Sequence, residues 1–386
     1  MLSIARKLTK AILAANLATI IRAVRHGPGD ARARAQRAYS EIDPFGSGSP
    51  PPVPQTATPT SSVGASVVDD DPPSRADPRF EHAVWDDTIA VPSAQRLSYN
   101  KICNLADFRD PELLHWLRDV YQHELRRFGP RFPLGFEDRR QWEIAMTART
   151  LADHGVFRED SKVLGIGAGN EPTIFYLTSH VGQVFATDLY LSGDWDEASS
   201  SMLVDPGVNW PFAWNPRRLV AQHMNGRELR YEDCSFDAIF SSGSIEHFGT
   251  FDEIEGSMRE MYRVLKPGGI IAITTEFLID GPDTGSVGLM FFTPKLIEER
   301  LIGSLDWSLL SPYDYTITEE TLRTKFSQEI AEAWFVEHVR KHKRFAYHEY
   351  RQAQYPMIVM QRGQHTFTSV SLALRKHGGN DIRGAK

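Results

Sequence analysis

Three groups of residues in this sequence have types and spacings that could do chemistry. The first is Val163-Leu-Gly-Ile-Gly167-Ala-Gly169-Asn-Glu171, a glycine-rich run between an apolar segment and a helical one. Glycines there (Gly165, Gly167, Gly169) let the backbone turn sharply and approach a ligand with no Cβ in the way. The second is Asp188, which ends the run QVFATD 21 residues after Gly167. An acid at a strand end at that distance can accept hydrogen bonds from both hydroxyls of a ribose, or can act as a turn or capping acid. The third is Glu246-His247, with Glu276 further on. His247 opens a helix at the carboxyl edge of a strand and is the leading candidate for a general base, with Glu246 and Glu276 behind it. A histidine so placed also serves structurally, by bonding a neighbouring carbonyl. The loop departs from the dinucleotide fingerprint, because Glu171 and Pro172 stand where G-x-G-x-x-G would continue. A carboxylate in that loop would repel a pyrophosphate and suits a cationic ligand.

The elements that must position these residues follow from periodicity. Lys162 to Ile166 (KVLGI), QVFATD, Phe236 to Ser241 (FDAIFS) and IIAITTEF are short apolar runs, alternating with the helical EPTIFYLTSHV and SMREMYRVL. That alternation predicts an α/β fold with a Rossmann-like parallel sheet. PMIVM–QRGQHT–FTSVSLAL reads as an antiparallel C-terminal hairpin completing a seven-stranded sheet. Ahead of it, LLHWLRDVYQHELRRF and RRQWEIAMTARTLADHGVF predict a helical segment over 79–160. The domain proper is expected over 161–376, with insertions at 190–217 and 277–355 long enough to act as lids. Trp195, Trp210, Phe212 and Trp214 lie in the first insertion, where they could stack on an acceptor or close the core. A flexible tail is expected over 377–386.

The stretch from Ser161 to Phe277 resembles the class I S-adenosylmethionine-dependent methyltransferases, in particular their broad small-molecule group. The resemblance rests on the glycine loop, the strand-end Asp188, the polar Asn225 before the next strand, the SFD strand, the Ser-Ile-Glu-His-Phe helix start and the R-VLKPGG turn. It implies S-adenosylmethionine as cofactor, with Asn225 receiving the adenine amino group, Met224 packing on the adenine face, and Ser242 lining the cofactor side. The family's loop usually begins with an acid where this chain has Gly165 and ends with a glycine where it has Glu171. Glu171, expected on the first helical turn, either takes over the grip on the methionine ammonium or merely complements a helix N-terminus, worth about 0.3–1 kcal/mol.

Net charge is −7 over 386 residues, which gives no global pull toward nucleic acid. The chain has neither Asn-Pro-Pro-Tyr/Phe after the fourth strand nor a Pro-Cys nucleophile, as base methylases do. Its two cysteines, Cys103 and Cys234, make no disulfide framework or zinc site between them, so no metal and a cytoplasmic setting are expected. Residues 1–45 form a basic segment, with AILAANLATII too short to span a bilayer; it reads as a helix docked on the main domain, an Arg-rich organelle-targeting segment, or a surface-lying helix making peripheral membrane contact through residues 1–26. Residues 46–78 read as a disordered Pro/Ser/Thr-rich linker, and Lys341-His-Lys-Arg344 as a solvated basic run. The expected reaction is methyl transfer to an oxygen or nitrogen of a glycan, sugar derivative or specialised small metabolite. The alternatives are methylation of a lipid or quinone at a membrane surface, and a catalytically silent cofactor-binding scaffold.

Overall fold

The computed structural model describes residues 96–192, 200–210, 212–303, 305–327 and 355–377. The basic segment 1–45, the linker 46–78, Trp195, the run 341–344 and residues 378–386 lie outside the described residues. Strand β1 spans Asn100–Ile102, β2 Lys162–Ile166, β3 Gln183–Asp188, β4 Leu219–His223, β5 Phe236–Ser242 and β6 Leu265–Asp280. Short strands follow: β7 Gly285–Ser286, β8 Leu289–Met290, β9 Trp307–Leu309, β10 Tyr313–Asp314 and β11 Phe326–Ser327. Strands β12 (Met360–Arg362) and β13 (His365–Lys376) come last. The longer helices are α1 (Pro111–Val120), α2 (Gln122–Phe128), α3 (Arg139–Asp153), α4 (Pro172–Leu177), the single turn α5 (Ser201–Val204), and α6 (Phe251–Val264).

Five strands run parallel in the order β4-β3-β2-β5-β6, and β13 lies antiparallel on the outside of β6. This is the expected Rossmann-like sheet with an antiparallel terminal strand. Its apolar runs divide between two faces with a period of two. Leu164, Ile166, Ile239, Ile271 and Ile273 enter one core, while Val163, Ala238, Phe240, Ile270 and Ala272 enter the other. Helix α6 covers the first core with Ile254, Met258 and Met261, and starts at a Thr250/Glu253 capping box.

The seventh position of the sheet departs from the expected hairpin. It is shared by three short strands, all antiparallel to β13: β12 against His365–Phe367, β1 against Val370–Ser371, and β9 against Leu374–Lys376. Of PMIVM only Met360 enters β12, whose other residues are Gln361 and Arg362, and the connecting turn shrinks to Gly363-Gln364. Strands β10 and β11 extend this edge in turn. Helix α4 is also shorter than its sequence suggests, because Thr178 Oγ1 donates to the Phe175 carbonyl at 2.6 Å and closes the turn.

The stretch ahead of the domain was expected to be helical, yet it supplies β1, which a run as polar as Asn-Lys-Ile does not announce. A buried ion pair holds it there. Lys101 Nζ lies 2.5 Å from Asp107 Oδ2, which also accepts from Trp142 Nε1 of α3 at 2.9 Å. Helix α3 is buried around most of its circumference, with Trp142, Ala145, Met146, Ala148 and Leu151 inaccessible to solvent. The described aromatics of the first insertion pack on other rings: Trp210 stacks on Phe175 at 5.5 Å, Trp214 meets the same ring edge-on at 5.3 Å, and Phe212 stacks on His123 at 4.3 Å. Among the described residues, no helix is long and apolar enough to cross a membrane.

Removing one partner of the Lys101–Asp107 pair strands the other charge in the interior. Asp107→Ala is therefore expected to lower unfolding free energy by about 3–5 kcal/mol in urea titration. A loss below about 1 kcal/mol would show that the pair does not hold β1 and α3 together.

Candidate functional site

The glycine loop leaves β2 at Ile166 and enters α4 at Pro172. Gly167 has φ +60°, and a Cβ there would lie 2.7 Å from the Ser244 Cβ, so only glycine lets the loop lie against the exit of β5. Ser244 Oγ completes that contact by donating to the Gly167 carbonyl at 2.6 Å. Gly165 needs a correction. It sits not in the loop but inside β2, where a Cβ would meet the Phe240 ring at 2.5 Å, so strand packing is what calls for glycine there. The same ring leaves no room for the acid that the family usually carries there.

Asp188 lies at the carboxyl end of β3, beneath the loop. Its Oδ2 accepts from the Gly169 amide at 2.8 Å and its Oδ1 from the Leu189 amide at 2.6 Å. These two backbone bonds fix the orientation of the carboxylate. Tyr190, which sequence reasoning passed over, donates from its hydroxyl to the Gly169 carbonyl at 2.8 Å and fixes the loop from the same side. Met224 is tied to β3 by its amide, 2.9 Å from the Asp188 carbonyl, and its side chain joins the core beside Ile166. Asn225 is partly buried, and its Oδ1 accepts from the Arg227 amide at 3.0 Å, forming a turn.

Ser242 ends β5, next to β2 in the sheet, and its hydroxyl donates to Glu171 Oε1 at 3.3 Å. Glu171 is the N-cap residue of α4 rather than part of its first turn, and its side chain does not cap the helix. Its carboxyl turns toward β5. Loss of hydration pushes its pKa up to about 8, and the nearby Glu143 carboxylate adds to the rise.

The N-terminal end of α3 covers this region. Arg139 grips Glu276 with two nitrogens, Nη1 to Oε2 at 2.9 Å and Nη2 to Oε1 at 3.0 Å, and also donates to Ser369 Oγ at 2.9 Å. Glu143 accepts from Arg140 Nη1 at 2.9 Å and from Thr274 Oγ1 at 3.3 Å. Glu276 therefore corrects a second expectation. Strand β6 runs on past it to Asp280, and both its oxygens are held by a guanidinium, so it is a structural anchor rather than a base.

Glu246 is fully buried, with Oε2 accepting from Thr275 Oγ1 at 2.9 Å and Oε1 making no hydrogen bond. Burial, reinforced by Glu276, raises its pKa to about 7. Its depth keeps it from meeting an acceptor directly. His247 is more open, and its Nδ1 lies 2.6 Å from the Gly288 carbonyl at the tip of the β7–β8 hairpin. A carbonyl can only accept, so Nδ1 carries a proton, while Nε2 lies 3.8 Å from Glu246 Oε1.

Gly167, Gly169, Asp188, Ser242 and Glu171 thus come together at the carboxyl ends of β2, β3 and β5, where ligands bind in open α/β sheets. Arg140, Glu143 and Thr274 were missed because they reach the site from α3 and β6. Only the glycine in Ser-Ser-Gly-Ser hinted at a close approach there.

Residues 164–273 match the family model described as a methyltransferase domain. Over 126 residues the chain is 29% identical to 27-O-demethylrifamycin SV methyltransferase of Amycolatopsis mediterranei (strain S699), covering 32% of this chain and 42% of that protein. It is 34% identical over 131 residues to a protein of Encephalitozoon cuniculi (strain GB-M1) named as a candidate methyltransferase, covering 34% of this chain and 50% of that one. The chain thus spans half or less of these curated relatives. Among solved structures, the [4+2]-cyclase SpnF gives a TM-score of 0.41 at 17% identity, covering 69% of this chain and 96% of that one. Phosphoethanolamine N-methyltransferase 2 of Haemonchus contortus, in complex with S-adenosyl-L-methionine, gives 0.38 at 21% identity, covering 60% and 52%. The match over 164–273 falls on the Rossmann-like sheet and its glycine loop, so that stretch is the part of the chain similar to a methyltransferase domain.

Proposed function

We propose that the protein transfers a methyl group from S-adenosylmethionine to an oxygen of a specialised small metabolite, glycan or sugar derivative, with nitrogen as the lesser alternative. The observation that carries this reading is the meeting of the loop glycines, Asp188 and the Glu171–Ser242 pair on one sheet edge. The residues suit a ribose-bearing cation with an ammonium group: a strand-end carboxylate held in place by two backbone amides, and a second carboxyl poorly hydrated until a cation arrives. In this reading Asp188 holds the ribose, Met224 lies against the adenine, Asn225 receives its amino group, and Glu171 with Ser242 takes the ammonium. Gly165 stays out of contact. Its packing cause removes one of the two departures that favoured a silent scaffold.

The cofactor, when bound, supplies a methyl group already activated on a sulfonium, so the protein's tasks are alignment and exclusion of water. An oxygen acceptor must also lose a proton. His247 supplies the base at Nε2, its tautomer set by the Gly288 carbonyl, and the neighbouring Glu246 stabilises the imidazolium once ionised. Support for oxygen comes from the Amycolatopsis relative, whose name assigns it an O-demethylated rifamycin. Such a metabolite is the acceptor class we favour.

Asp188→Asn is expected to weaken binding of S-adenosylhomocysteine by about 100-fold in calorimetric titration. Unchanged affinity would remove Asp188 from the site. Glu171 must lose its proton to pair with an ammonium, so affinity should rise from pH 6 to about 8 and level off above, with proton release visible in buffers of different ionisation enthalpy. Glu171→Gln should abolish both effects, and a pH-independent wild type would assign Glu171 another role. His247→Ala is expected to lower kcat by roughly 100- to 10,000-fold with the S-adenosylhomocysteine affinity intact. An unaltered kcat would leave His247 only its bond to the β7–β8 hairpin.

A further inference from the structure

Methionine's end of the cofactor is a zwitterion, and the match over 164–273 leaves one of its charges without a counterpart. Glu171 answers the ammonium in the reading above, on which this inference rests. No cation within the loop or at the exit of β5 answers the carboxylate. One approaches from α3. A Cβ placed on Gly243, immediately after Ser242, would lie 1.4 Å from Arg140 Nη1, so the guanidinium rests directly on the backbone of the β5 exit turn. Gly243 has φ +55° and its amide donates to Thr274 Oγ1 at 3.1 Å, which holds the turn in place under the arginine.

The two neighbouring arginines differ in what they have left to give. Arg139 is buried and committed to Glu276, Ser369 and Glu143. Arg140 keeps 42% of its side chain exposed, spends Nη1 on Glu143 at 2.9 Å, and has Nη2 at 3.7 Å from Glu276. A guanidinium has five donors in a planar fork that matches a carboxylate. Glu143 orients that fork. We propose that Arg140 anchors the methionine carboxylate of S-adenosylmethionine, opposite Glu171 across the Ser242–Gly243 turn, making α3 part of the cofactor site.

The test is calorimetric titration of the full chain with three ligands: S-adenosylhomocysteine, its decarboxylated analogue, and 5′-methylthioadenosine, which lacks the whole amino-acid tail. Wild type should bind the decarboxylated analogue about 10- to 100-fold more weakly than S-adenosylhomocysteine, the worth of one charged hydrogen-bonded contact. Arg140→Gln should weaken S-adenosylhomocysteine by a similar factor, leave methylthioadenosine unchanged, and add nothing to the loss already seen with the decarboxylated analogue. Arg140→Lys, which keeps the charge without the fork, should fall between. Equal binding of the first two ligands by wild type, which needs no variant, would overturn the proposal. So would an Arg140→Gln effect of the same size on all three ligands, which would mark a role in packing α3. Those results leave the cofactor reading standing; a wild type that binds none of the three overturns both.

Discussion

The fork of Arg139 on Glu276 is the interaction on which the site's arrangement depends. It joins the first turn of a helix that precedes the domain to the centre of strand β6, with oxygens and nitrogens paired at 2.9 and 3.0 Å and both side chains buried. Ser369 of β13 and Glu143 of the same helix complete the network. An ion pair of this kind specifies position more than it adds stability, because desolvation offsets much of the attraction, and Arg139 Nε is buried without a hydrogen-bond partner. What it specifies is the height and rotation of α3 over the sheet. From that follow the seating of Arg140 on Gly243 and the placement of Glu143 beside Glu171.

The electrostatic character of the region follows from the same constraint. Four carboxyl groups, on Glu143, Glu171, Glu246 and Glu276, gather near two guanidinium groups. Glu143 and Glu276 are paired with arginines, and those arginines hold the Glu143 carboxyl below its usual range. Glu171 and Glu246 lack such partners and respond in the opposite direction, to about 8 and about 7. Environments that push equivalent groups apart are a mark of functional sites. Here one of the raised pair faces the place the proposed reading gives to the donor's ammonium, and the other adjoins the proposed base at His247.

How much of this was legible in the sequence depends on whether a residue's role is local. KVLGI and QVFATD became strands with the expected bounds because their apolar character is set by burial on both faces of a parallel sheet. The glycine turn after β2 and the position of Asp188 at the end of β3 were legible from pattern and spacing. Strand β1 was not, since Asn100–Ile102 is extended only because it pairs with β13, hundreds of residues later in the chain. The same holds at the site. Gly165 looked like a ligand-facing glycine until the Phe240 ring came across from β5, and Glu276 looked like a base until Arg139 reached it from α3. Roles assigned by a partner far along the chain leave no mark in the local pattern.

The central claim is that the carboxyl ends of β2, β3 and β5, closed over by α3, receive an adenosyl ligand. A crystal structure of the S-adenosylhomocysteine complex tests it most directly. The account predicts ribose hydroxyls within hydrogen-bond distance of both Asp188 oxygens, and the amino-acid tail lying along Ser242–Gly243 between Glu171 and Arg140. Ligand density on another face, or a tail pointing away from that turn, would contradict it.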